Sequence, residues 1–214
     1  MPGKPPEAAM TGMDVSRETR ADLERFAALL KKWQRSINLV APNTLDDLWA
    51  RHIEDSLQLL PLLPETARVF VDLGSGGGFP GLVLAIALKP TRPDARMTLI
   101  ESDARKGAFL NEAIRATGAN AHVITGRIDD VAPSGADVVT ARALAPLHRL
   151  LGFAARHMAP EGTALLQKGG KVHEELAAAR ADWHFDYALY PSLTSEDGVI
   201  LQIRELSDVS AKPA

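Results

Sequence analysis

The sequence predicts an α/β protein, a doubly wound and mostly parallel sheet preceded by an N-terminal helical cap. Three observations predict it. Apolar residues recur at spacings of three and four up to about Leu63, and from Arg68 short apolar runs alternate with helical stretches. These runs suit strands covered on both faces, and strands joined through helices run parallel. A glycine-dense turn follows the first run, at the sheet edge where such folds bind ligands.

Taken in order, residues 1–13 mix proline, glycine, alanine and a few charges, and read as a disordered extension. The helical cap, residues 14–66, starts with Leu23, Phe26, Leu30 and Trp33 on one face. Asn38–Pro42 breaks it. Asn43 or Thr44 can cap a second helix with a stripe of Leu45, Leu48, Trp49, Ile53 and Leu57, ended by Pro61 and Pro64. The α/β domain, residues 67–207, then runs strand Val69–Leu73, helix Leu82–Leu88, strand Met97–Ile100 and helix Ala104–Thr117 closed by Gly118. Strands Ala121–Thr125 and Asp137–Thr140, helix Pro146–Met158, strand Thr163–Gln167 and helix Val172–Asp182 follow. Phe185–Pro191 and Val199–Glu205 read as a closing antiparallel pair, and Ala211–Ala214 as a frayed end.

Composition narrows the chemistry. The chain has 214 residues, 46% of them hydrophobic, enough for one main core without a staple. It has no cysteine, which excludes disulfides, thiolate zinc sites, thiol nucleophiles and cysteine-held iron–sulfur clusters. No cluster of His, Asp and Glu has metal-ligand spacing, so no metal site is expected and His52 is not read as a ligand. A net charge of −3 excludes bulk attraction to nucleic acid and leaves room only for a local basic patch. The most apolar stretch, Phe79–Leu88, is broken by Pro80 and Gly81. It falls short of the roughly 20 residues a membrane span needs. Met1–Gly12 lacks the pattern of a secretory signal, and a cytoplasmic protein is expected.

The sharpest local signal is Val71-Asp72-Leu73-Gly74-Ser75-Gly76-Gly77-Gly78-Phe79-Pro80-Gly81, with five glycines between Gly74 and Gly81. A merely flexible turn does not need so many. A phosphate-binding loop would end in Gly-Lys-Ser/Thr, and this one has no lysine. A dinucleotide site would space its glycines Gly-x-Gly-x-x-Gly. The tighter Gly74-x-Gly76-x-Gly78 after Asp72 resembles motif I of class I (Rossmann-like) S-adenosylmethionine-dependent methyltransferases. Glu101 ends the second strand, 27 positions after Gly74, where a carboxylate can accept from two ribose hydroxyls. Asp103 is an alternative, and Glu101 could also simply serve the start of the next helix. In Gly126-Arg127-Ile128-Asp129-Asp130 an acid can accept from an adenine amino group, or close an Asx turn.

The acceptor is constrained by what is missing. Pyrimidine carbon-5 needs a covalent nucleophile, usually cysteine. Exocyclic amines are commonly handled by an Asn/Asp-Pro-Pro-aromatic motif after the fourth strand, where this chain reads Asp137-Val138-Val139-Thr140-Ala141-Arg142-Ala143. Guanine N7 carries its own in-plane lone pair and needs only positioning.

Asp72–Gly81 resembles the signature of the bacterial 16S rRNA guanine-N7 methyltransferase family RsmG, formerly called glucose-inhibited division protein B. Trp33 with Asn38-Leu39-Val40, Arg51-His52-Ile53-Glu54-Asp55-Ser56, and Arg105-Lys106 with Phe109-Leu110 match further. So do Arg127, Thr140-Ala141-Arg142-Ala143 with Ala145-Pro146-Leu147, and Lys168-Gly169. The resemblance spans about Arg25–Ile203. It implies methylation at N7 of one guanine near the decoding region, with S-adenosyl-L-methionine as donor and 16S rRNA or the small ribosomal subunit as partner. A monomer is expected, since nothing in the sequence demands more, and no membrane contact is expected.

The resemblance implies donor contacts at Gly74, Phe79, Ile128, Asp129 and Arg142, with Glu101 at the ribose; with Asp72, Gly76 and Gly78 these form the candidate donor-binding set, and Arg142 is also the candidate catalytic residue. Lys168, Arg105 and Arg127 are candidate RNA contacts. Arg51 and Asp55 are spaced to pair on one helix face, more as a clasp between cap and sheet than as an RNA seat. Gly77 replaces a frequent Ala or Pro of the family pattern and is expected to loosen the loop. The alternatives are a donor-binding, noncatalytic ribosome-assembly factor, a methyltransferase of another RNA, and, more weakly, a nicotinamide-dependent dehydrogenase.

Overall fold

The computed structural model describes residues 15–209. The extension expected over residues 1–13 and the frayed end at 211–214 lie outside them. Helix α1 (Arg17–Trp33) starts where the Ser16 hydroxyl accepts from the Thr19 N–H at 3.1 Å, and it buries Leu23, Phe26 and Leu30. Lys31 and Lys32 occupy its last turn, favourable against the helix dipole.

The second helix departs from expectation. Pro42–Thr44 is a 3-10 turn, Trp49–Glu54 winds as a π-helix, and only Asp55–Leu57 (α2) is α-helical. Thr44 is no helix cap: its hydroxyl donates to the Ala41 carbonyl and meets His52 Nε2, both at 2.8 Å. The expected stripe still faces inward, with Leu48, Ile53 and Leu57 buried. A 3-10 turn at Leu60–Leu62 leads out of the cap.

Seven strands then form one sheet, with β1 Val69–Leu73, β2 Arg96–Glu101, β3 Ala121–Thr125, β4 Ala136–Arg142, β5 Met158–Lys168, β6 Trp183–Pro191 and β7 Val199–Asp208. The order is β3-β2-β1-β4-β5-β7-β6. Pairing is parallel from β3 to β5, and β7 runs antiparallel to both neighbours. The helices between strands are α3 (Gly81–Leu88), α4 (Ala104–Thr117), α5 (Leu147–His157) and α6 (Val172–Ala179). Asp103 caps α4 and Gly118, at φ +62°, ends it. Several boundaries differ from expectation, and β7 runs on to Asp208, past the expected Glu205. Strand β5 starts at Met158, and α6 stops at Ala179, just before the chain turns into β6.

Side chains alternate between the faces of the sheet. Phe70, Leu99 and Val138 join the cap, α3 and α4 in one core cluster, and Val71, Ile100 and Val139 join α5 and α6 in the other. Helix α3 is apolar all round because it is buried all round, touching α1, α2, α4 and β2. A buried carboxylate ties the cap down: Asp22 on α1 takes Lys89 at the end of α3, and also Arg25, from the solvent side. Among the described residues no helix is long and apolar enough to cross a membrane.

Candidate active site

Strand order reverses at β1, which lies between β2 and β4, and doubly wound folds open a crevice at such a point. The glycine-rich loop leaves β1 there. Gly74, Gly76 and Gly78 have φ of +66°, +54° and +91°, a region that side chains rarely allow. Hydrogen bonds fix the turn. The Ser75 N–H donates to the Ile100 carbonyl at 3.0 Å, the Gly78 N–H to the Ser75 carbonyl at 2.7 Å, and the Gly76 N–H to Glu101 Oε2 at 2.7 Å. Gly77 does not loosen the loop, since its backbone packs so closely on the cap that a Cβ would lie 2.9 Å from the Leu39 carbonyl oxygen.

Asp72 lies beneath the loop. It is fully buried, and Thr140 Oγ1 donates to its Oδ1 at 2.7 Å while Oδ2 has no partner. Burial pushes its carboxyl up to about 6, against hydrogen bonds that act to lower it. Gly81 opens α3 directly over this side chain, and a Cβ there would meet Asp72 Cγ at 2.7 Å.

The crevice is a cavity of about 870 Å³ along the carboxyl ends of β1, β2, β4 and β5. Gly74, Gly76, Phe79, Glu101, Ile128, Asp129 and Arg142 line it, as do Arg127 and Lys168. Three predicted residues sit elsewhere. Asp72 is under the loop, Gly78 faces Phe26, Leu82 and Leu110, and Arg105 pairs with Asp103 outside the cavity while Lys106 faces in. Glu101 Oε1 also accepts from the Asp103 N–H at 2.8 Å, so this acid ties the loop to the start of α4. The Asp103 carboxylate is itself taken up as the α4 cap, accepting from the Arg105 N–H at 2.8 Å.

Another part of the cavity wall, in contact with the loop through Phe79, is built from charged and polar side chains. Arg142 Nη1 donates to Asp55 Oδ2 at 3.2 Å, and its guanidinium carbon sits 5.0 Å from the centre of the Phe79 ring. Burial lowers the pKa of Arg142, and the Asp55 charge works against that. Asp55 thus turns to Arg142 and not to Arg51, because its segment winds as a π-helix into α2 and points across to the sheet. The segment is a clasp between cap and sheet.

His52 completes the clasp. Arg142 Nη2 meets His52 Nδ1 at 2.8 Å, and a guanidinium can only donate, so Nδ1 accepts. The ring proton is then on Nε2, pointing at the Thr44 hydroxyl, which passes its own proton toward the Ala41 carbonyl. Burial and the Arg142 charge lower the His52 pKa to about 4, which keeps the ring neutral. Lys168 pairs with Glu175 at 2.8 Å, and the exposed Arg127 with Asp129 at 3.6 Å.

Sequence reasoning missed Gln58, Gln167 and Thr194, all on the cavity wall. Gln167 left a signal, an amide ending an otherwise apolar strand. Among the described residues no group of His, Cys, Asp and Glu is placed to hold a metal ion.

The family model described as "GidB: rRNA small subunit methyltransferase G" matches residues 19–202. "Ribosomal RNA small subunit methyltransferase G" of Paramagnetospirillum magneticum is 51% identical over 208 residues, 97% of this chain and 99% of its own. The protein of the same name from Gluconobacter oxydans is 50% identical, covering 91% of this chain and 98% of its own. Among solved structures, a SAM dependent methyltransferase from Aquifex aeolicus aligns with a TM-score of 0.58 at 13% identity, over 83% of this chain and 97% of that one. M. jannaschii TYW2 in complex with AdoMet aligns at 0.56 and 17% identity, over 82% and 80%. These two likenesses concern the fold, the class I methyltransferase sheet with its helices. The near full-length match to the family and its members settles the membership: this chain belongs to the rRNA small subunit methyltransferase G family.

Proposed function

We propose that this protein transfers a methyl group from S-adenosyl-L-methionine to N7 of a guanine in 16S rRNA, free or in the small ribosomal subunit. Residues 67–207 hold the donor and residues 14–66 cap the pocket. We take the working form to be a cytoplasmic monomer, with the ribosome as partner. The observation that carries the reading is the glycine loop, bonded to Glu101 and lining one cavity together with Arg142.

The residues fit such a donor. Positive φ at Gly74 and Gly76 shapes a glycine backbone along the cavity, and the loop itself carries no lysine for a phosphate. When bound, the donor supplies an activated methyl group on a sulfonium. Glu101 has lone pairs left beyond its two backbone bonds for ribose hydroxyls. Ile128 and Asp129 frame the adenine edge, and Phe79 supports Arg142 from below. Arg142 holds the donor carboxylate or the target phosphate. Asp72 and Gly78 shape the loop from behind. Lys168, Arg105 and Arg127 are the RNA footing, local as a net charge of −3 requires. Guanine N7 needs no base, so alignment of lone pair and methyl group is the main catalytic contribution. That agrees with a chain lacking cysteine.

The test is transfer from methyl-labelled donor to small subunits of a strain lacking this protein. Label should appear in 7-methylguanine at a single rRNA position. Donor binding with no transfer to free or assembled rRNA would favour an assembly factor instead.

A further inference from the structure

The loop joining β6 to β7 closes one side of the cavity, bringing Ser195, Asp197 and Gly198 to its wall. It is a surface turn, yet side chains of the cap, more than 130 positions earlier, hold it. Gln58 Oε1 accepts from the Leu193 N–H at 2.8 Å. The Thr194 hydroxyl and Gln58 Nε2 both donate to Asp55 Oδ1 at 2.7 Å. The other oxygen, Oδ2, takes Gln167 Nε2 at 2.7 Å and Arg142 Nη1 at 3.2 Å. A carboxylate has about four acceptor sites, and here donors from the cap, β4, β5 and the loop fill them.

We propose that Asp55 is a positioning residue for the acceptor. It holds the β6–β7 loop through Thr194 with one oxygen and Arg142 with the other, and so fixes the wall that seats the target nucleotide relative to the donor. The proposal rests on the methyl-transfer reading above. A clasp that merely stabilised the fold would leave acceptor affinity independent of the loop tether. A positioning role makes the two move together.

Thr194→Val cuts one tether at the surface while keeping the shape of the side chain, and Thr194→Ser restores the hydroxyl. The measurements are the KM for unmethylated small subunits, kcat, donor affinity by calorimetry, and hydrogen exchange of the loop amides in the free protein. Loss of one hydrogen bond to a charged group predicts about a tenfold rise in KM for Thr194→Val. Donor affinity and kcat should stay within about twofold, because the other carboxylate oxygen keeps Arg142 and Gln167 in place. The serine variant should bring KM back, and the amides around Leu193 should exchange faster in the valine variant. Asp55→Asn, which disturbs both oxygens, should raise KM and also lower kcat. An unchanged KM in Thr194→Val, or a KM that serine does not restore, overturns the proposal. So does a loss of donor affinity that accounts for the whole change. If the wild-type protein methylates no rRNA, the functional reading fails. Loop exchange then still judges the tether, supported by faster exchange in Thr194→Val and overturned by equal exchange.

Discussion

One part of the cavity wall is backbone from a single run of chain, and the part it meets at Phe79 is side chains gathered from four elements. The glycine loop lies between β1 and α3, and its hydrogen bonds reach only the adjacent strand end at Ile100 and Glu101. The clasp joins Asp55 to Arg142, Gln167 and Thr194, which lie 87, 112 and 139 positions away. The difference teaches how each part fails. A backbone wall is spoiled wherever an added atom finds no room. A side-chain network is spoiled by a missing group, and it is partly redundant because each acceptor has several donors.

The largest effect should come from crowding the backbone part. Gly81→Ala places a Cβ 2.7 Å from Asp72 Cγ, a core atom with no room to move. Overpacking of this kind costs about 3 kcal/mol, read as a lower urea midpoint at unchanged slope. A loss below about 1 kcal/mol would show that α3 yields and that this part is softer than its geometry implies.

Next comes Arg142→Ala, which removes a group from the clasp. Transfer to rRNA should fall about 100-fold in kcat/KM. Stability should drop by only about 1–2 kcal/mol, because Asp55 keeps Gln167, Thr194 and Gln58 as donors. Arg142→Lys should not rescue transfer, since one ammonium cannot reach Asp55 and His52 in a planar fork. A collapse of the fold on losing Arg142 would remove the contrast between the two parts. Smaller again is Gly76→Ala. Its Cβ would have open space, with the nearest atom, the Gly74 oxygen, 3.8 Å away. Only the strain of φ +54° remains, about 1 kcal/mol, so it separates conformation from crowding within one loop.

The same contrast decided what the sequence could reveal. The strand, its glycine loop and Glu101 were legible because period, glycine spacing and a strand-end acid are local features. The sheet followed from strands and helices in alternation. Asp55 was legible only as half of a local pair with Arg51, since helical spacing is all a sequence shows. Its real partner stands on β4, and only the tertiary fold brings them together. Gln58 and Thr194 lie outside any motif, and their meaning appears only once the β6–β7 loop folds back on the cap. The π-helical turn hid for a related reason, because the apolar stripe of Leu48, Ile53 and Leu57 reads the same in a wider winding.

The smallest effect is expected from pH, because the two parts respond with opposite sign. Asp72, at about 6 in the fold against an ordinary 3.8, keeps its proton where the unfolded chain has lost it. Its contribution to stability is therefore intact below about pH 4 and declines as pH rises to 6. His52, at about 4 against an ordinary 6.5, is kept neutral by burial and then by the charges of Arg142 and Arg51, with Asp55 only partly offsetting them. The unfolded chain takes up that proton first, so the His52 contribution is present above pH 6.5 and is lost as pH falls toward 4. In the wild-type protein the two slopes oppose each other, and single substitutions should uncover them. Compared at each pH by urea midpoint, Asp72→Asn should gain on the wild type as pH rises from 4 to 6. His52→Gln should gain on it as pH falls from 6.5 to 4. Curves running parallel to the wild type would mean that neither burial controls its titration. Slopes of the same sign in both variants would mean that the loop and the clasp titrate as one network, and the division of the cavity into a backbone part and a side-chain part would have to be given up.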